Sequence, residues 1–259
     1  MTFQETDLND LKKAKALLEN PGVAVKITNL IGIPIERGFD FLPENWHKKI
    51  GEVTQTALSK AIHAAVFTMK DVPGEEASNG LHKIAVAITG GIGGFFGIAA
   101  LAVELPISTT IMLRSIADIA RNEGETINAI ESKIACIEVF ALGGLSKSDD
   151  AFESGYFAIR AALAGSVKKA AEYMAEKGLA EEGAPALVRL IIQIANRFSI
   201  QVSEKTAAQA IPAIGAAGGA LINALFIDHF QDMARGHFIV RRLERKYGKE
   251  IVKVNYNII

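Results

Sequence analysis

The chain has 259 residues, enough for one large domain with a substantial core. Its 28 Lys and Arg stand against 29 Asp and Glu, so no basic excess exists to displace counterions, and nucleic acid is excluded as an expected partner. The single cysteine, Cys136, rules out an intramolecular disulfide and fits a reducing compartment.

The N-terminal MTFQETDLNDLKKAKALLEN is charged and amphipathic, with Leu8, Leu11, Leu17 and Leu18 near helical spacing. It lacks a basic segment followed by an apolar one, so no signal peptide is expected and the expected location is cytoplasmic. Asn20 and Pro21 offer an N-cap and first-turn proline for the next helix. PGVAVKITNLIGIPIERGFDFLP then reads as two short helices, or one kinked at Pro34. From Pro43 a further helix places Trp46, Ile50, Val53, Ala57, Leu58 and Ile62 along one face. A loop rich in Pro, Gly, Ser and Asn covers 71–80.

Next comes an uncharged run, IAVAITGGIGGFFGIAALAV (Ile84–Val103), continuing through ELPISTTIMLRSIADIA. After the polar RNEGETIN, Asn128 and Glu131 form a capping-box pattern for a helix reaching Leu142, with Cys136 read as a small buried hydrophobe. GGLSKSDD leads into an Ala-rich helix that closes at Gly178, with Asp149 and Asp150 at its positive end. A second loop near 178–185 precedes the amphipathic ALVRLIIQIANRF. A second uncharged run, TAAQAIPAIGAAGGALINALFI (Thr206–Ile227), grades into DHFQDMARGHFIVRRLERKYG. The final KEIVKVNYNII alternates weakly and reads as a short strand or a docked tail. The loops are too short for flexible linkers, so residues 1–259 are expected to form one all-α domain, a helical bundle with two central glycine-rich apolar helices.

The glycines need a reason, because each costs about 1 kcal/mol inside a helix. Gly90 and Gly94, Gly93 and Gly97, and Gly215 and Gly219 are each four apart, which lays bare backbone on one face for another helix to approach. A phosphate loop is discounted, since GGIGGFFG has no strand before it and no G-K-[ST] ending. Each uncharged run is long enough to cross a bilayer, yet rich in Gly, Ala and Thr; buried bundle helices, peripheral or reversible insertion, and permanent spans all fit. Glu104 is the only ionisable group between Lys83 and Arg114. It needs a cation such as Arg114 or Arg160, a wet position at the end of the run, or a ligand.

Several stretches resemble the EcsC protein family of bacteria. They are LIGIPIERGFDFLPENW, GGFFGIAALAVELPISTTIMLRSIADIARNEGE, CIEVFALGGLSKSDDAFESGYFAIRAALA and DHFQDMARGHFIVRRLER. The family is named after a protein encoded beside an ABC transporter and has no assigned biochemical role. The resemblance implies bacterial origin and an intracellular, membrane-linked setting, with an ABC transporter as one conceivable partner. It supplies no catalytic residues.

Other constellations are weaker. Asp228, His229, Asp232 and His237 lie within three turns but lack H-E-x-x-H spacing, so no metal and no cofactor are expected. Ser108 has no G-x-S-x-G context. Tyr156 and Arg160, one turn apart, could join a polar cluster. Arg235, Arg241, Arg242, Arg245, Lys246 and Lys249 interleave with Phe238, Ile239, Val240, Leu243 and Tyr247, a pattern suited to anionic lipid headgroups. The leading expectation is therefore a non-enzymatic cytoplasmic protein, peripheral to the inner membrane, that touches anionic lipid or a membrane protein. The alternatives are a hydrolase whose site gathers Glu104, Arg114, Asp118, Asp150 and His237, or a lipid- or peptide-binding cavity between the glycine-rich helices.

Overall fold

Three long helices carry the fold, and the computed structural model describes residues 3–20, 22–68, 97–143, 155–177 and 185–259 around them. Every regular element among these residues is helical. In chain order they are α1 (Glu5–Leu18), α2 (Val23–Ile31), α3 (Glu36–Phe39), α4 (Trp46–Thr68), α5 (Gly97–Asn122), α6 (Ile130–Glu138), α7 (Tyr156–Lys177), α8 (Pro185–Ala210), α9 (Gly215–Tyr247) and α10 (Lys249–Ile258). The result is the all-α bundle that the periodicity predicts.

The long helices have defined directions. α5 and α9 run side by side in parallel: the Gln231 amide of α9 donates to Ser115 of α5 at 2.9 Å, and Arg241 reaches Glu125, just past α5, at 2.9 Å. α8 runs against them. Near its end Lys205 meets Glu104 of α5 and Phe226 of α9, while two turns earlier Phe198 lies 5.3 Å from the Phe230 ring. At 33 residues, α9 extends about 50 Å and forms the axis on which α1, α2, α5, α8 and α10 pack.

The core lies where these helices cross. Phe140, Phe198 and Phe230 are fully buried with ring centroids 4.9–5.4 Å apart, in the tilted and edge-on arrangements that aromatic quadrupoles favour. Phe140 comes from a 3-10 turn, Val139–Ala141, that continues α6. All of α6 from Ser132 to Glu138 is buried, as expected for a helix with no wholly polar face. Cys136 sits there fully enclosed, and burial pushes its thiol far above the ordinary range. It is the inert small hydrophobe that its apolar setting predicts.

Several local expectations are corrected. Thr206–Ile227 is not one helix: α8 ends at Ala210 and α9 starts at Gly215. Pro212 has no N–H to donate and biases Ile211 away from helix, so the run folds as helix, turn, helix. KEIVKVNYNII is not a strand but a docked tail, and it is helical: α10. Its alternation misleads because Ile251, Val254 and Ile258 face outwards while Val252 and Tyr256 face the core. Lys15 of α1 donates to the carbonyls of Tyr256 and Ile259 at 3.0 and 3.3 Å. α2 is capped by Gly22 rather than by Asn20, ends at a left-handed Gly32 and is separated from α3 at Pro34; Pro21 lies outside the described residues. α6 starts at Ile130, with Ala129 in the N-cap position rather than Asn128.

Two glycines outside the predicted spacing bring backbones together. A Cβ on Gly38 of α3 would stand 2.0 Å from the Ala207 carbonyl oxygen of α8. One on Gly236 of α9 would stand 2.6 Å from Leu18 Cγ and 3.0 Å from the Ala14 oxygen of α1. Gly38→Ala is expected to lower unfolding stability by about 1–3 kcal/mol in urea titrations. Gly51→Ala in α4, where nothing lies within 4 Å, is expected to raise it by up to about 1 kcal/mol.

Candidate functional site

Ion pairs tie the long helices at two places, and one buried pair stands near the start of α5. Lys205 of α8 donates from Nζ to both Glu104 carboxylate oxygens of α5, at 2.9 and 3.1 Å. The side chains are 0% and 7% exposed. The Phe226 ring of α9 covers the ammonium at 5.0 Å, so three helices meet at one charged contact. The cation is thus Lys205, not the Arg114 or Arg160 expected for Glu104. On the outer side of the same turns, Val103 is 67% and Ile107 45% exposed, and Leu221 near the start of α9 is 46% exposed. Of the predicted contact glycines, Gly97 opens α5, Gly215 opens α9 and Gly219 is buried; Gly90, Gly93 and Gly94 lie outside the described residues. Removing one partner of a buried pair leaves an unpaired charge. Glu104→Gln and Lys205→Met are each expected to lose about 3–5 kcal/mol in denaturant titrations, and the double variant much less.

The second place gathers the basic row. Arg241 makes two bonds to Glu125, at 2.9 and 3.2 Å; Arg245 contacts the same carboxylate and donates to the Glu123 carbonyl at 2.6 Å. Arg242 bridges Asp10 at 2.7 Å and Glu123 at 2.8 Å. Lys246 holds Asp7 at 2.6 Å and Gln4 at 2.9 Å, and the Tyr247 hydroxyl also donates to Asp7. Arg235 pairs with Asp232 at 3.0 Å, and Lys249 is exposed. Burial pushes the Glu125 carboxyl up, but its bonds from Arg241 and Ser132 outweigh this and hold it below the usual range. The Lys246 and Tyr247 bonds do the same for Asp7. Four bases (Arg241, Arg242, Arg245, Lys246) therefore meet four acids (Asp7, Asp10, Glu123, Glu125) and tie α1 and the turn after α5 to α9.

The remaining candidates fall into separate contacts. Arg160 makes a two-bond clamp on Glu244, at 2.7 and 2.9 Å, and also donates to the Tyr156 hydroxyl at 3.1 Å. The Tyr156 hydroxyl and His237 Nδ1 share a hydrogen bond at 2.9 Å. His237 Nε2 is buried without a hydrogen-bond partner. Burial, with Arg160 and Arg241 nearby, pushes His237 well below the ordinary histidine range. Burial likewise lifts the Glu138 carboxyl, against the pull of Arg160 and Arg241. Asp118 pairs with Arg121 at 2.9 Å, Arg114 is exposed on α5, and Asp150 lies outside the described residues. Glu104, Asp118 and His237 thus have three different partners. Asp232 is held by Lys26 and Arg235, and among the described residues no three His, Cys, Asp or Glu side chains gather as metal ligands.

Two buried histidines on α9 give the fold an acid sensitivity. His229, packed against Gly143, is pushed down to about 3 by burial and then by Lys26, and His237 is also depressed. Both bind protons in the unfolded chain near pH 6.5 but not in the folded one, so stability is present above that value and falls as pH drops. Between pH 6.5 and 5 each is expected to remove up to about 1.4 kcal/mol per pH unit. His237→Gln should flatten the urea midpoint against pH over that window.

Comparison with known proteins adds one finding. No curated protein and no solved structure matches the chain. The model of the EcsC protein family matches residues 5–243, from the first turn of α1 to the last turns of α9, and leaves α10 beyond the match. The chain belongs to the EcsC protein family.

Proposed function

We propose that this protein is a non-enzymatic component of the inner face of a bacterial membrane, meeting the bilayer or a membrane-protein partner with the exposed apolar side of α5. The carrying observation is the outer side of α5. Ala100–Asn122 is long and apolar enough to cross a membrane by length and composition; its most apolar window has a mean hydropathy of 1.3 and is 56% buried. Core packing accounts for that buried part. It does not account for Val103 and Ile107, which face outwards one helical turn apart.

The charged network bears on how the attraction works. Its bases are already matched by acids of the same chain, so contact through apolar burial is favoured over headgroup electrostatics. The distribution of Glu104, Asp118 and His237 among separate partners weighs against the hydrolase alternative.

Flotation with vesicles containing about a third anionic lipid tests the proposal. Binding is expected to survive a rise to about 0.5 M salt, where electrostatic attraction is screened. Val103→Asp or Ile107→Asp is expected to weaken it about tenfold or more, with little change in stability because both positions are exposed. Binding abolished by salt, or untouched by either aspartate, would contradict the apolar contact.

A further inference from the structure

The first turns of α7 are tied to α9 by a buried cluster with no provision for another positive charge. Tyr156, the first residue of α7, is buried and shares its hydroxyl with His237 Nδ1 at 2.9 Å. Arg160, one turn on, donates to the same hydroxyl at 3.1 Å and clamps Glu244 of α9 with two bonds. His237 is fully buried, and its Nε2 has no hydrogen-bond partner.

The charged groups near this ring come from several elements. Arg160 stands on the α7 side, and Arg241 lies one turn further along α9. Glu244 answers Arg160, and Glu125, from the turn after α5, answers Arg241. Glu138 of α6 lies near both guanidiniums and near Lys249 of α10; burial lifts its carboxyl, so acid weakens that counter-charge as well. α10 also brings the neutral Tyr256 ring, 6.0 Å from that of Tyr156, with Lys15 and Glu19 of α1 beside it. Neither nitrogen of His237 meets a carboxylate.

We infer that the start of α7 is an acid-opened latch: a proton on His237 frees Tyr156 and Arg160 from α9 while the rest of α7 stays docked. An imidazolium donates from both nitrogens. At Nδ1 it competes with Arg160 for one hydroxyl oxygen, and at Nε2 its N–H finds no acceptor. It is also a third cation beside Arg160 and Arg241, out of reach of water, where an uncompensated charge is costly. Lifting the first turns of α7 takes one guanidinium away and lets water reach the ring. The opening stays local because α7 has a second anchorage. Leu163, Ala170 and Met174 are buried along its remaining length, and the helix packs on α6 and α8. His229, also buried on α9, packs against Gly143 instead and gives the control.

The opened state binds a proton near pH 6.5 and the closed state does not. The opening constant therefore rises about tenfold per pH unit below that value. Amide hydrogen exchange of the full chain between about pH 7 and 5, corrected for intrinsic rates, tests this. In the parent, residues 156–162 are expected to lose protection with that slope, ahead of residues 163–174 and of α8. His237→Gln is expected to remove the slope; Glu138 is common to both proteins, so the difference isolates the histidine. Tyr156→Phe is expected to lower protection of the same residues already at pH 7, and His229→Gln to leave their slope unchanged. The latch is overturned if residues 156–162 lose protection only in step with α8, if His237→Gln keeps the slope, or if His229→Gln abolishes it. If His237→Gln does not fold, the order of loss in the parent and the Tyr156→Phe result decide the matter.

Discussion

One buried contact between unlike charges sets the geometry of the long helices. An ammonium fully withdrawn from water is tolerable only with its counter-ion in bonding distance, so Lys205 cannot leave Glu104 without a large penalty. Because the ammonium also lies against Phe226, the contact fixes α5, α8 and α9 at once. The parallel course of α5 and α9 follows from this point and from the Ser115–Gln231 bond further along. Such pairs often add little net stability compared with an apolar replacement; what this one supplies is register between two uncharged segments that have almost nothing else polar to align them.

The far end of the bundle is held in a different way. There the C-terminal half of α9 presents arginines and a lysine, and α1 together with the turn after α5 answers with carboxylates. Exposed pairs of this kind contribute little each, but Glu125 is buried, receives bonds from Arg241 and Ser132, and anchors the network. Between the two ends lies the enclosed Tyr156–His237 bond, whose neutral imidazole makes the middle of α9 intolerant of acid.

Much of this was legible in the residues. Helical periodicity located α4, with Ile50, Ala57, Leu58 and Ile62 buried as the spacing required. The need of Glu104 for a cation was also legible, because an isolated carboxylate in an apolar run cannot stay unpaired. Which cation it finds was not, since Lys205 is far away in the chain and sits in an ordinary polar stretch. The available signal was positional: each residue borders one of the two uncharged runs. The partners of the basic row were hidden for a related reason. Composition reveals six bases beside apolar residues, but Asp7, Asp10, Glu123 and Glu125 come from other segments and only the fold brings them over. In α10, period two and period four overlap, and the docking of Val252 and Tyr256 decides between them.

Native-state hydrogen exchange on Lys205→Met tests most directly whether this single contact governs the packing around it. If it does, amides at the start of α5, the end of α8 and the start of α9 lose protection together, while those near Arg241 and Glu125 keep theirs. Loss confined to α8, with the other two helices unaffected, would contradict a shared node.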